Sequence, residues 1–192
     1  GAPAAEPLHR RRSRLAADGV WITFSAKRAF DDDAPILTVK QRFEPGESLE
    51  AMVDRLHQGL GRGRSGKKST SDREMDLLLR LPSPVVRLVL GAVRGADAFG
   101  LLPRAMIDGD PMYASAFVAN LGSVGLEAGY HHLWEYGNVP IFCVVGRIKP
   151  GPEGRVVTLK WSYDERVEDG LYCARSLERL RELVETPEKL VA

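Results

Sequence analysis

The chain has 192 residues, 44% hydrophobic and 28% charged, which suits one globular domain with a core of its own. A formal net charge of +1 excludes the strong positive excess of a dedicated nucleic-acid binder, and no run reaches the ~18 apolar residues of a membrane span. Cys143 and Cys173 lie in apolar contexts without metal-ligand spacing, which points to reduced thiols in a cytoplasmic, metal-free protein.

Residues 1–15, with the basic cluster His9–Arg14, lack the apolar stretch of a signal peptide and read as a disordered basic tail. Residues 16–192 read as a single domain. "VWITFSA" (Val20–Ala26) and "ILTVKQRF" (Ile36–Phe43) alternate and predict an antiparallel strand pair. Leu49, Met52, Val53, Leu56 and Leu60 repeat at helical spacing behind Ser48, a residue suited to an N-cap.

"GRGRSGKKSTS" (Gly61–Ser71) reads as a basic loop. Ser71 and Glu74 form a capping-box pattern for a helix over 72–81. A second helix follows, with Ser83 as its cap and Pro84 at N1. Its valines and leucines fall on more than one side, so it needs a partner or a groove. "AFVANLG" (Ala116–Gly122), "VPIFCVVGRI" (Val139–Ile148) and "RVVTLKWSY" (Arg155–Tyr163) predict three further strands. A last amphipathic helix runs from Leu171 to Val184 before Pro187. The order is α+β: a mixed, mainly antiparallel sheet with helices on one face.

Three stretches carry a resemblance: "ANLGSVG" (Ala119–Gly125), "VPIFCVVGRI", and "TLKWSYDERVEDG" (Thr158–Gly170) followed by the last helix. In order and spacing they resemble the catalytic domain of the dihydrolipoamide acyltransferases of 2-oxo acid dehydrogenase complexes. The resemblance implies a chloramphenicol acetyltransferase-like two-layer sandwich. It also implies a homotrimer, or an assembly of trimers, with its site between subunits. CoA or acyl-CoA would be a substrate rather than a bound cofactor, and a lipoyl-type thiol the acyl acceptor. The chain shows no lipoyl domain or Ala/Pro-rich linker, and its N-terminal part is short for the family.

In that family a His-x-x-x-Asp-Gly signature supplies the base that deprotonates the thiol. Here Glu165 stands at the His position, while Asp169 and Gly170 are kept. Ala119 stands where a strand hydroxyl would donate to the oxyanion, beside Asn120. A carboxylate of ordinary pKa about 4.3 is a poor base for a thiol of about 8.5 unless burial raises it.

Glu165 therefore has three readings: an altered base, a group that orients a neighbouring His, or a structural carboxylate paired with Arg166. Asp169 is a supporting site residue or simply a helix N-cap. Asn120 is an oxyanion donor or a loop anchor. His131 and His132, set among aromatics in "GYHHLWEYGN", are relocated bases or interface packing. Arg62, Arg64, Lys67 and Lys68 are a candidate contact for CoA phosphates or a solvated loop. Three functions remain in view: a divergent CoA-dependent acyltransferase, a catalytically inactive trimeric scaffold or regulatory pseudoenzyme, and, behind these, a condensation-type enzyme on the same fold with another nucleophile.

Overall fold

A computed structural model of the chain describes residues 19–27, 31, 34, 36–65 and 80–190. The basic tail, residues 72–79 of the helix expected over 72–81, and Lys67 and Lys68 lie outside these residues; Arg80 and Leu81 are in a turn and not in a helix. β1 (Val20–Lys27) and β2 (Ile36–Phe43) form the antiparallel pair expected from their alternation, with Val20 opposite Phe43 and Lys27 opposite Ile36. α1 (Leu49–Arg64) starts at Ser48, whose side chain accepts from the Ala51 amide at 3.2 Å. It lies on β2 through two glycines: a Cβ at Gly59 would stand 2.7 Å from Val39, and one at Gly63 would collide with Leu37.

α1 runs through Arg64, so Arg62 and Arg64 occupy its last turn and not a loop. Cations there complement the partial negative charge of the helix C-terminus. α2 (Ser83–Ala98) has Pro82, not Ser83, at its cap position, with no side-chain cap. A short helix, α3 (Arg104–Gly109), follows in a stretch whose periodicity is too brief to announce it.

β3 (Ala116–Asn120), β4 (Ile141–Val145) and β7 (Leu159–Tyr163) complete a five-stranded mixed sheet of order β2-β1-β3-β4-β7. The two central pairings, β1–β3 and β3–β4, are parallel, while those at the edges are antiparallel. The single strand read over 155–163 is broken. β5 (Lys149–Gly151) and β6 (Gly154–Val156) form a separate hairpin, and beyond it the Thr158 carbonyl accepts from the Gly146 amide at 2.9 Å. α4 (Gly170–Glu185) closes the fold.

The two faces of the sheet differ. One presents Thr23, Phe117, Ala119, Phe142 and Val144, all buried. Its cover is largely irregular chain: Ala114 and Val139 pack there, with Met112, Leu133 and Trp134 against them. The opposite face carries Val39, Phe24, Val118, Cys143 and Trp161 in register, with α1 over β2.

Residues 107–115 are fastened to the buried face by a polar clamp. Lys40 Nζ donates to the carbonyls of Ile107 (2.7 Å) and Asp110 (3.1 Å), and Thr23 Oγ1 donates to Pro111 O (2.8 Å). Tyr136 donates its phenol proton to Asp110 Oδ2 at 2.8 Å. Burial lowers the Lys40 pKa against the opposing pull of Asp108 and Asp110. Burial, then Asp110, pushes Tyr136 up to about 12; burial likewise raises Tyr113, with Tyr136 and Asp97 adding to it.

Both tyrosines thus hold their protons in the folded chain beyond the ordinary range near pH 10. Above that pH the unfolded chain binds fewer protons, so their contribution to stability, complete below about pH 10, is lost as pH rises. Denaturant midpoints of wild type should fall between about pH 10 and 12. Tyr136→Phe should start about 1 kcal/mol lower at pH 7 and fall less steeply over that interval.

Candidate functional site

The turn between β7 and α4 holds Glu165. Asp164, at its start, receives the Arg166 guanidinium in a two-pronged contact, Nε to Oδ1 at 2.8 Å and Nη2 to Oδ2 at 2.7 Å. The Arg166 amide adds a bond of 3.0 Å to the same carboxylate. Arg166 therefore belongs to Asp164, the closer fit for a fork within a tight turn, and the pairing expected with Glu165 is replaced. Glu165 itself points into solvent. Asp169 is the N-cap of α4, its Oδ1 accepting from the Tyr172 amide at 2.8 Å. Gly170 leaves room for the Tyr163 hydroxyl, which would lie 3.2 Å from a Cβ there.

The other signature stretch sits at the end of β3. Asn120 Oδ1 accepts from the Ser123 amide at 3.1 Å, and Ser123 donates its hydroxyl proton to Asn120 O at 2.7 Å, which caps the short 3₁₀ turn Leu121–Val124. Gly122 must be glycine because a Cβ would strike the Gly146 carbonyl, and a Cβ on Gly146 would strike that of Glu127. Gly125 ends the turn at φ +85°. Glu127 then takes Arg147 at 3.0 Å and Lys149 at 2.9 Å. Ala119, where a hydroxyl was sought, is a buried member of the core cluster.

Sheet register separates these two ends. Asn120 is opposite Val145 at the end of β4, whereas Tyr163, before Glu165, is opposite Ile141 at its start. Four residue steps along a strand amount to about 13 Å. Arg62 and Arg64 lie on α1 over β2, four strand spacings from β7, or about 19 Å across the sheet. One protomer does not bring the candidate residues together.

The histidines come closer to the Glu165 turn. Ser162, three residues before Glu165, donates its hydroxyl proton to His131 O at 2.6 Å. The His131 ring is stacked on Phe142, with centroids 4.2 Å apart and planes 6° from parallel, and touches Trp134 at 4.8 Å. His131 Nδ1 meets the His132 carbonyl, and His132 Nδ1 meets that of Leu133 at 3.0 Å. His132 is exposed. Neither free cysteine is an activated nucleophile: burial pushes the Cys143 thiol up to about 11, and burial with three neighbouring carboxylates, Glu168 foremost, raises Cys173. Among the described residues no group of three or more His, Cys, Asp or Glu is placed to hold a metal ion, and no helix is long and apolar enough to cross a membrane.

A groove of about 1120 Å³ between β7, α4 and the β5–β6 hairpin was not foreseeable from the sequence. Leu159 and Trp161 form its floor and Leu177, Leu180 and Val184 one wall. The apolar stripe of α4 was its only signal, and such a stripe reads equally well as core. No residue of α4 is buried.

No family model matches the chain, and no curated protein gives a significant match. Solved structures do. The dihydrolipoamide acetyltransferase of Azotobacter vinelandii, in whose catalytic mechanism a serine, a histidine and an asparagine have been investigated, superposes with a TM-score of 0.56 at 18% identity, over 91% of this chain and 57% of its own. The cubic core of a pyruvate dehydrogenase multienzyme complex gives 0.55 at 17%, over 91% and 57%. The fold is that of a dihydrolipoamide acetyltransferase catalytic domain. A truncated catalytic core of the 2-oxoacid dehydrogenase complex of Thermoplasma acidophilum gives 0.55 at 14%, over 97% of this chain and 76% of that one. The chain spans a little over half the length of the first two.

The geometry assigns structural work to the residues that carried the resemblance. Asp169→Ala should cost about 1 kcal/mol in denaturant titration through loss of the α4 cap. Gly146→Ala should lower the thermal midpoint by roughly 4–8 °C, through overpacking of about 2 kcal/mol against backbone that cannot move aside. Gly61→Ala, in open space on α1, should instead raise it by about 1–3 °C.

Proposed function

We propose that this chain is an oligomeric subunit of the acyltransferase-core type whose own acyl-transfer centre is disarmed, so that it serves assembly rather than chemistry. The supporting observation is the Glu165 turn. A carboxylate can accept a thiol proton only where burial raises its proton affinity, and Glu165 is solvent-exposed. Around it, Asp169 is engaged as a cap and Asp164 is neutralised by Arg166. Ala119 brings no hydroxyl for an oxyanion. The neighbours in fold include the cubic core of a multienzyme complex, which supports the reading of assembly; the trimer is the unit that the resemblance implies.

A second reading keeps catalysis. The Ser162–His131 bond brings the His131–His132 loop to the strand that leads into Glu165, so an imidazole from this loop would act as base. An acyl-CoA would then be the donor and a lipoyl-type thiol the acceptor, with Arg62 and Arg64 meeting the CoA phosphates from another protomer. The His131 ring favours the first reading, because its stack on Phe142 and contact with Trp134 hold it in the core.

Acyl transfer from acetyl-CoA and longer acyl-CoAs to dihydrolipoamide distinguishes the two. Wild type should be silent, and Glu165→His should turn over where wild type does not. Activity in wild type that collapses by 10²-fold or more in His132→Ala or His131→Ala would overturn the disarmed centre in favour of the relocated base.

A further inference from the structure

α2 is attached to the rest of the chain along one side only. Val86, Val93 and Asp97, spaced at helical intervals, are half-buried, with Asp97 beside Tyr113, and Arg94 reaches Glu135 at 3.4 Å. Much of the rest of the helix faces water: Leu88 is 74% exposed, Val85, Val89 and Leu90 stand out around it, and no residue of the helix is buried. Leucine and valine at such density form a contact surface, not a solvated face.

The groove between α4 and β7 is the matching concavity. Its floor and wall are the apolar residues named above, and its lining carries Glu153, Glu178 and Glu185 against Arg155 and Arg181. Arg181 and Glu178 pair within α4, which leaves one acid in excess. α2 brings the opposite charge, since Arg87 is exposed beside the apolar ridge and the helix's sole acid, Asp97, is turned inward. The exposed ridge runs from Val85 to Leu90 and α4 lines the groove from Ala174 to Glu185, so the groove is long enough to receive the ridge.

The sheet lies between them. α2 is anchored to Tyr113 and the 130–136 loop on the face that carries Thr23, Phe117 and Phe142, whereas Leu159 and Trp161 in the groove are in register with Val145 and Cys143 on the other. The ridge and the groove of one chain cannot meet. We infer that the occupant is a second copy of this chain: α2 of one protomer lies in the α4–β7 groove of the next. Such a contact is heterologous and closes into a ring when its rotation permits. It rests on the assembly reading above and names the surfaces that would carry it.

Light scattering on the full chain tests this with two surface variants. Leu88→Glu removes the ridge, and Val184→Glu, at a residue 54% exposed, blocks the groove. Both should keep the wild-type circular dichroism spectrum. Wild type should assemble, each variant alone should be monomeric, and an equimolar mixture should regain a dimer. The first chain retains its groove and the second its helix, so one interface survives. Assembly of Val184→Glu alone would mean that ridge packs on ridge, and a mixture that stays monomeric would also overturn the docking. Variants of unchanged mass would overturn it while leaving the assembly reading intact. A monomeric wild type would remove both.

Discussion

Three rings stacked in parallel hold the covered face of this sheet. Phe142 lies against Phe117 at 5.2 Å and 9°, and against His131 at 4.2 Å and 6°, while Trp134 touches all three. An irregular loop can close a core only if its own side chains supply the apolar area that a helix would otherwise bring. The stretch from His131 to Tyr136 does so, tied down by the Ser162 bond to the His131 carbonyl and by the Tyr136 phenol on the Asp110 carboxylate. The same column decides the part His131 can play, because a ring committed to Phe142 is a packing element first.

Parallel pairing at the centre of the sheet has a consequence for the site. β3 and β4 run together and β7 runs back, so the turn after β3 and the turn after β7 leave the sheet at opposite ends. Asn120 and Glu165 are thereby held apart, and side-chain rearrangement cannot bridge a strand's length. A site that used both would be completed by another protomer, which fits the arrangement implied by the resemblance. The signature residues are also needed locally. Asn120 caps a turn, Gly122 and Gly146 permit a close approach of backbones, and Asp169 starts α4. A chain can keep these residues for the fold alone.

Much of this was legible along the chain. The alternation of Val20–Ala26 and Ile36–Phe43 predicted the strand pair, and Ser48 predicted the start of α1. The asymmetry between the covered and open faces was not legible, because strands buried on one face and half-buried on the other show the same apolar run. The break between β6 and β7 was equally silent, since Arg155–Tyr163 alternates without interruption and only the bond from the Gly146 amide to the Thr158 carbonyl divides it. Arg166 posed a local version of the problem: two neighbouring carboxylates were available, and turn geometry chose Asp164.

The sequence by itself determined most of the elements, the caps at Ser48 and Asp169, and the family likeness, because periodicity and turn chemistry act over a few residues. It determined as well that the imidazole and the hydroxyl of the signature are replaced by Glu165 and Ala119. Only the tertiary structure decided that Glu165 is exposed, that His131 is stacked into the core, and that α2 and the α4–β7 groove lie on opposite faces of the sheet. Those outcomes depend on strand order and on contacts between residues far apart in the chain, which local patterns do not encode.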